Sequence, residues 1–288
     1  MPSSYRSSKT ASYSKIKLRV LICLLLIVIT GSYILWTKHA AAEAAVVRQA
    51  QIQAAAVAAK KADIFAGQVD QLMSANPTIT FSISTVNSSQ GLKVFGTEAA
   101  FDGASTAKLL TAADYLNHVQ LKSTSLKQNI DGNSGQYWLK EMLVNSDDTA
   151  WTELNDYLTH PDLKRYANSI GFTNYDPSTN SFTSSDVARL LAKLSDGSLL
   201  WPANRSLMLN YLSQANYRDY IVPAVSSGDK VYHKAGEDDD DVHDAAIITS
   251  GSKSFVLVIF SDGNGTYDWV GRATLMQTIT KDAIAAYL

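Results

Sequence analysis

Residues 20–36, Val-Leu-Ile-Cys-Leu-Leu-Leu-Ile-Val-Ile-Thr-Gly-Ser-Tyr-Ile-Leu-Trp, carry no charge and stand between Arg19 and Lys38. No other stretch restricts the chain as much. As a helix the run is about 26 Å long, close to the hydrocarbon thickness of a bilayer. Six basic residues and no acid lie in 1–38. That charge predicts a cytoplasmic N-terminus, with everything beyond Lys38 outside the cell membrane in a single-pass arrangement. A cleaved signal peptide is the competing reading, with Ala40-Ala41-Ala42 as its cleavage region. The run exceeds the roughly 7–15 apolar residues of such peptides, which favours an uncleaved anchor.

Beyond Lys38 the chain holds nineteen basic and twenty-seven acidic residues. A body so acidic is unsuited to nucleic acid, because neutralising phosphates needs a basic surface. The one cysteine, Cys23, lies within the apolar run, so no intrachain disulfide or cysteine-based metal site can form. The organisation expected is a basic cytoplasmic tail (1–19), a transmembrane anchor (20–37), an Ala-rich helical stalk (38–75) and a folded body (76–288). The stalk has no Pro and ends in Ile64, Phe65, Val69, Leu72 and Met73, which can pack on the body.

Within the body, strand patterns lie at both ends and helical patterns between them. Ile79, Phe81 and Ile83 alternate with Thr and Ser, and Ser88-Ser89-Gln90-Gly91 supplies a turn before 92–95. Residues 137–159 and 184–195 read as helices joined by polar loops, with helical character continuing to about 212. Strands return at 230–234, 244–249 and 254–260, the last two joined at Ser250-Gly251-Ser252. A closing helix over 269–288 offers Leu275, Ile279, Ile284 and Leu288 to one face. This is an α+β pattern: an antiparallel sheet from 76–100 and 225–288 with a helical insertion at 104–215. A substrate cleft falls between the two parts.

Asp102-Gly103 breaks the chain just before a helical stretch in which Ser105 and Lys108 stand three apart, on one face. An amine there can accept the hydroxyl's proton as the oxygen attacks a carbonyl. Ser-x-x-Lys alone discriminates poorly, since it also occurs at Ser12/Lys15, Ser14/Lys17, Ser227/Lys230 and Ser250/Lys253. Two further stretches follow it in order: Ser146-Asp147-Asp148 at a junction of helical segments, and Lys234-Ala235-Gly236 at the end of a strand.

Together the three resemble the motifs of the penicillin-recognising serine hydrolases, the class A β-lactamases and DD-peptidases. The resemblance covers about 79–288 and includes 169–174 and 182–190. It implies an α+β, β-lactamase/transpeptidase-like fold with Ser105 as nucleophile and Lys108 as base or proton relay. Ser146 would pass a proton to the leaving nitrogen. Lys234 would attract a substrate carboxylate and depress the pKa of Lys108. The backbone N–H groups of Ser105 and Glu237 would form the oxyanion hole. Gly236 would keep the acyl group unobstructed. The implied ligand is a cell-wall peptide or a β-lactam, and no cofactor or metal is implied.

This sequence also departs from those motifs. Asp148 stands where an asparagine donates to the substrate, and as a carboxylate it can pair with Lys108 instead. Ala235 lacks a hydroxyl for a substrate carboxylate. Glu237-Asp238-Asp239-Asp240-Asp241 sets acids at the rim, which repel such a carboxylate. No glutamate occupies a clear deacylating position, and Asp176, before Pro177 and Asn180, reads as a turn residue. Two expectations follow: a membrane-anchored extracytoplasmic acyl-serine hydrolase, or a weakened relative that binds without turnover. Asp147 reads as a residue that fixes its loop, and the acidic run as a solvated loop. His233 and His243 read as half-buried strand residues with no third zinc ligand in reach. Tyr232, Trp201 and Trp269 read as core or cleft-wall aromatics.

Overall fold

The structure, a computed structural model, describes residues 8–87 and 90–288. In chain order it comprises α1 (Ser8–Ala75), β1 (Thr80–Asn87), β2 (Gly91–Gly96), β3 (Phe101–Asp102), a 3₁₀ turn (Ala104–Ala107) and α2 (Lys108–Gln120). There follow β4 (Asn129–Ile130), β5 (Asn133–Ser134), α3 (Gly135–Val144), α4 (Asp148–Leu158), α5 (His160–Ile170) and β6 (Ser181–Phe182). The remainder is α6 (Ser184–Asp196), α7 (Pro202–Ser213), β7 (Lys230–Asp238), β8 (Asp241–Ser250), β9 (Lys253–Asp262) and α8 (Trp269–Tyr287).

The chain divides into a unit that ends at Val57 and a second unit, Ala58–Leu288. The first carries the part of α1 that is long and apolar enough to cross a membrane, with a mean hydropathy of 2.4 and none of it buried. In the second, five antiparallel strands form a sheet in the order β2-β1-β9-β8-β7, so both chain ends contribute and β7 is an edge. Ser88 and Ser89 of the expected turn lie outside the described residues.

Both faces of this sheet are covered, which explains the unbroken apolar run of β9. Val256, Val258 and Phe260 enter the core shared with α2 to α7. Phe255, Leu257 and Ile259 enter a second core with Met276, Ile279 and Ala283 of α8. Phe65 and Val69, from the last turns of α1, are buried in that second core. The serines of β1 do not face water either. Ser82 and Ser84 are fully buried, and their hydroxyls each lie 2.7 Å from that of Ser184, so hydroxyl pairs satisfy the alternate face.

Several local expectations change. Residues 160–170 form a helix, not a polar loop. Leu163, Tyr166, Ala167 and Ile170 recur at helical spacing on its buried side, Pro161 sits in the first turn, and Gly171 closes it at φ 99°. The junction of helical segments expected at Ser146 separates α3 from α4, and Ser146 takes φ 58° there. The acidic run is a β-hairpin turn and not a free loop: β7 runs to Asp238, Asp239 takes φ 48°, and β8 starts at Asp241. His233 and His243 are completely buried, not half-buried. Trp201 (59% exposed) and Trp269 (44%) lie on the surface and not in a core or cleft wall, while Tyr232 packs partly against the larger core.

Candidate active site

The Ser105 turn is held from three sides. Asp102 Oδ1 accepts from the backbone N–H of Ala104 at 2.9 Å. Asn180 Nδ2 donates to Asp102 Oδ1 and to the carbonyl of Ala104, both at 3.2 Å. His243 Nε2 donates to the carbonyl of Asp102 at 2.7 Å, since its Nδ1 accepts from the N–H of Ser261. Burial holds the His243 pKa at about 4, so the ring is neutral and serves as a fixed strut. A Cβ on Gly103 would lie 1.9 Å from the ring of Phe182, so only glycine fits there. Ala104, directly before Ser105, is forced to φ 43°, a left-handed conformation that non-glycine residues rarely adopt.

The helix thus opens as a 3₁₀ turn at Ala104–Ala107, and Ser105 and Lys108 remain on one side. Lys108 Nζ donates to Ser105 Oγ at 2.7 Å and to Asp148 Oδ1 at 2.6 Å. Its side chain is 2% exposed, whereas that of Asp148 is 85% exposed. Burial lowers the pKa of Lys108, and the hydrogen bond and charge of Asp148 oppose that lowering. The ring of Trp151 lies 5.4 Å from Nζ and completes the wall.

Asp147 caps α4 by accepting from the N–H of Ala150 at 2.7 Å. That cap and the left-handed Ser146 beside it bring Ser146 Oγ to Lys234 Nζ, which donates to it at 2.8 Å. Lys234 Nζ also donates to the carbonyl of Ala235 at 2.7 Å. Its pKa falls to about 7, through burial first and the charge of Lys108 second. The two ammonium groups disfavour each other's charge, and burial lowers both amines.

Gly236 brings the edge strand against this turn. A Cβ there would stand 2.9 Å from the backbone nitrogen of Ser105 and 3.0 Å from that of Thr106. The nucleophile's own backbone thus requires glycine at this position. Ser105, Ser146, Asp148, Tyr217, Ala235, Gly236 and Glu237 line one cleft of about 180 Å³. A hydroxyl held on a buried amine beside close-packed backbone is a geometry suited to acyl transfer.

Residues 64–287 match a family model described as the beta-lactamase enzyme family. The chain belongs to the beta-lactamase enzyme family. Among solved structures, PBP-A is 19% identical with a TM-score of 0.70, and the match covers 77% of this chain and 95% of that one. A PBP-A mutant in acyl-enzyme complex with penicillin G is also 19% identical, with a TM-score of 0.71 and coverage of 78% and 96%. An ancestral class A beta-lactamase is 18% identical, with a TM-score of 0.70 and coverage of 77% and 100%. No curated protein matches. The beta-lactamase-like α+β fold follows from these likenesses.

Sequence reasoning missed two residues tied to this cleft, one in its lining and one behind Glu237. Tyr217 lines it at φ 59°. Its neighbour Asn216 is tied to the Ser146 turn, donating through N to the carbonyl of Val144 and through Nδ2 to Asn145 Oδ1, both at 2.9 Å. Tyr220, 3% exposed, donates its hydroxyl to Glu237 Oε1 in a short hydrogen bond. Neither tyrosine sits in a motif, so no local signal marks them. Asp176 forms a turn, accepting from the N–H and hydroxyl of Ser178 at 2.9 and 2.7 Å, and it does not line the cleft. Among the described residues, no group of three or more His, Cys, Asp or Glu is placed to hold a metal ion.

Proposed function

We propose that this chain is a membrane-anchored, extracytoplasmic acyl-serine hydrolase acting on an amide, either a cell-wall peptide or a β-lactam. The observation that carries this reading is the pair of Lys–Ser contacts at one cleft, Lys108–Ser105 at 2.7 Å and Lys234–Ser146 at 2.8 Å. Ser105 Oγ attacks the carbonyl carbon as its proton passes to Lys108. The N–H groups of Ser105 and Glu237 hold the developing oxyanion. Ser146 gives its proton to the departing nitrogen and takes another from Lys234. The resulting ester is then released by water. Asp148, Ala235, Gly236 and Glu237 shape the substrate pocket.

The anchored arrangement assigns 1–19 to a cytoplasmic tail, 20–37 to the membrane, 38–75 to a stalk and 76–288 to the hydrolase body. The apolar helix and the basic charge before it support this orientation. The acyl-enzyme of PBP-A with penicillin G makes a β-lactam a reasonable first ligand. Incubating the purified full-length chain with a penicillin panel and a fluorophosphonate, followed by intact-mass analysis, tests the reading. An adduct on Ser105 that disappears in Ser105→Ala is expected; no adduct with any reagent would sink it.

One contact favours a second reading. Asp148 Oδ1 lies 2.6 Å from Lys108 Nζ and stabilises the charged form of that amine. A relative that binds cell-wall peptide, β-lactam or a protein partner without turnover fits that pairing. An adduct that forms stoichiometrically but persists for hours distinguishes a trapped acyl-enzyme from both.

A further inference from the structure

The cleft's lining contains two carboxylates, Asp148 and Glu237, and no cation. Both lysines of the site lie beneath it. Lys108 is 2% exposed at its side chain and donates to Ser105 and Asp148. Lys234 is 1% exposed and donates to Ser146 and the carbonyl of Ala235. Neither ammonium offers an open face to an anionic ligand. The acids reach the solvent side: Asp148 is largely exposed, and Glu237 is held in place by Tyr220.

Asp238, next to Glu237 on β7, adds to this negative field. The carboxyl of Asp238 is raised by desolvation and then by the charges of Asp102, Asp239 and, more weakly, Asp148. Asp238 follows Glu237 on β7 and Asp148 opens α4, so acids from opposite walls share one field. Ala235 adds no donor to offset it. A ligand carboxylate entering here meets these acids first, with the offsetting ammonium groups of Lys108 and Lys234 buried beneath them, whereas a ligand cation is drawn in.

We propose that the acyl donor this cleft accepts carries a positive charge, an ammonium or guanidinium, beside its scissile carbonyl, where Asp148 and Glu237 meet it. This selectivity rests on the acyl-serine reading above and names its substrate class. The acyl chemistry is unchanged: Ser105 Oγ forms the new ester bond, the leaving group departs with its electron pair, and water later restores the free hydroxyl.

Three p-nitrophenyl esters, alike except for a trimethylammonium, a neutral tert-butyl or a carboxylate substituent on the acyl chain, test the proposal with the full-length chain in a non-ionic detergent. Release of p-nitrophenolate and the mass of the Ser105 adduct are read together. The cationic ester should acylate fastest and the anionic ester slowest, about tenfold apart at low salt. The ratio should narrow in about 1 M salt, where the screening length is about 3 Å, and in Glu237→Gln. An anionic ester that reacts as fast as the cationic one, or a ratio insensitive to salt, overturns the proposal. Should Glu237→Gln fail to fold, the salt series on the unaltered chain decides. If none of the three esters modifies Ser105, the acyl-serine reading itself fails and this selectivity falls with it.

Discussion

At the residue scale, Asp148 and Gly236 do most to set what Ser105 can do. Asp148 opposes the burial-driven lowering of the Lys108 pKa. Without it the amine should lose its proton at a lower pH. Asp148→Asn is therefore expected to move the rising limb of the acylation pH profile toward acid, read with the neutral ester so that substrate charge plays no part. A shift toward alkali would show that Asp148 does not act through Lys108. Gly236 is a separate case, because the atoms a methyl group would strike are the backbone nitrogens of Ser105 and Thr106. Gly236→Ala should lower acylation by roughly 10²-fold, the scale of a lost oxyanion donor, with an unchanged far-ultraviolet circular dichroism spectrum.

At the element scale, the β7–β8 hairpin presents Glu237 and Asp238 at the cleft, and a single buried arginine in α8 steadies its turn. Arg272 is 1% exposed and donates to the carbonyl of Asp240 in a short hydrogen bond, and to the carbonyls of Ser261 and Thr266, each at 3.4 Å. Its positive charge also offsets a crowd of acids: burial, Asp262, Asp102 and Asp240 raise the Asp241 carboxyl to about 7, and Arg272 lowers it. Arg272→Met strips donors from buried carbonyls and leaves those acids uncompensated. A loss of about 2–4 kcal/mol in urea unfolding is expected, and an unchanged midpoint would show that the hairpin does not depend on it.

At the scale of the whole molecule, stability carries a pH dependence from a residue far from the cleft chemistry. Asp114, in the middle of α2, is 1% exposed and neither carboxylate oxygen has a hydrogen-bond partner. His118 Nε2 approaches Oδ1 only to 3.6 Å, and Asp114 feels the charges of Asp162 and Arg165 of α5 while itself raising the hydroxyls of the buried Tyr166 and Tyr175. Desolvation raises its pKa from 3.8 to about 7, with Asp162 adding to the rise and Arg165 opposing it. The folded chain thus holds this proton more tightly than the unfolded chain does. The associated stability is present below pH about 4 and is lost as pH climbs toward 7. Asp114→Asn should raise stability by up to roughly 4 kcal/mol at pH 8 and change it little at pH 4. Equal effects at both pH values would refute the assignment.

Sequence alone was enough for whatever depends on composition and local spacing. The uncharged run 20–36 marks a membrane-length helix because lipid selects on apolar length. Strand patterns at both ends of the body, with helices between, yielded the antiparallel α+β frame, and three ordered motifs brought Ser105, Ser146 and Lys234 together before any coordinates did. α5 is not legible in the sequence because its polar exposed face masks the buried stripe of Leu163, Tyr166 and Ile170. What only the tertiary structure decided is long-range. Tyr217 lines the site beside Asn216, which bonds Asn145, and Tyr220 holds Glu237, all pairings far apart along the chain, and the serines of β1 are buried only because α6 packs over them. Likewise, no periodicity says that both lysines lie beneath the cleft while Asp148 and Glu237 line it. Burial is a property of what other segments place on top of a residue, and so the charge a ligand meets could be read only from the folded chain.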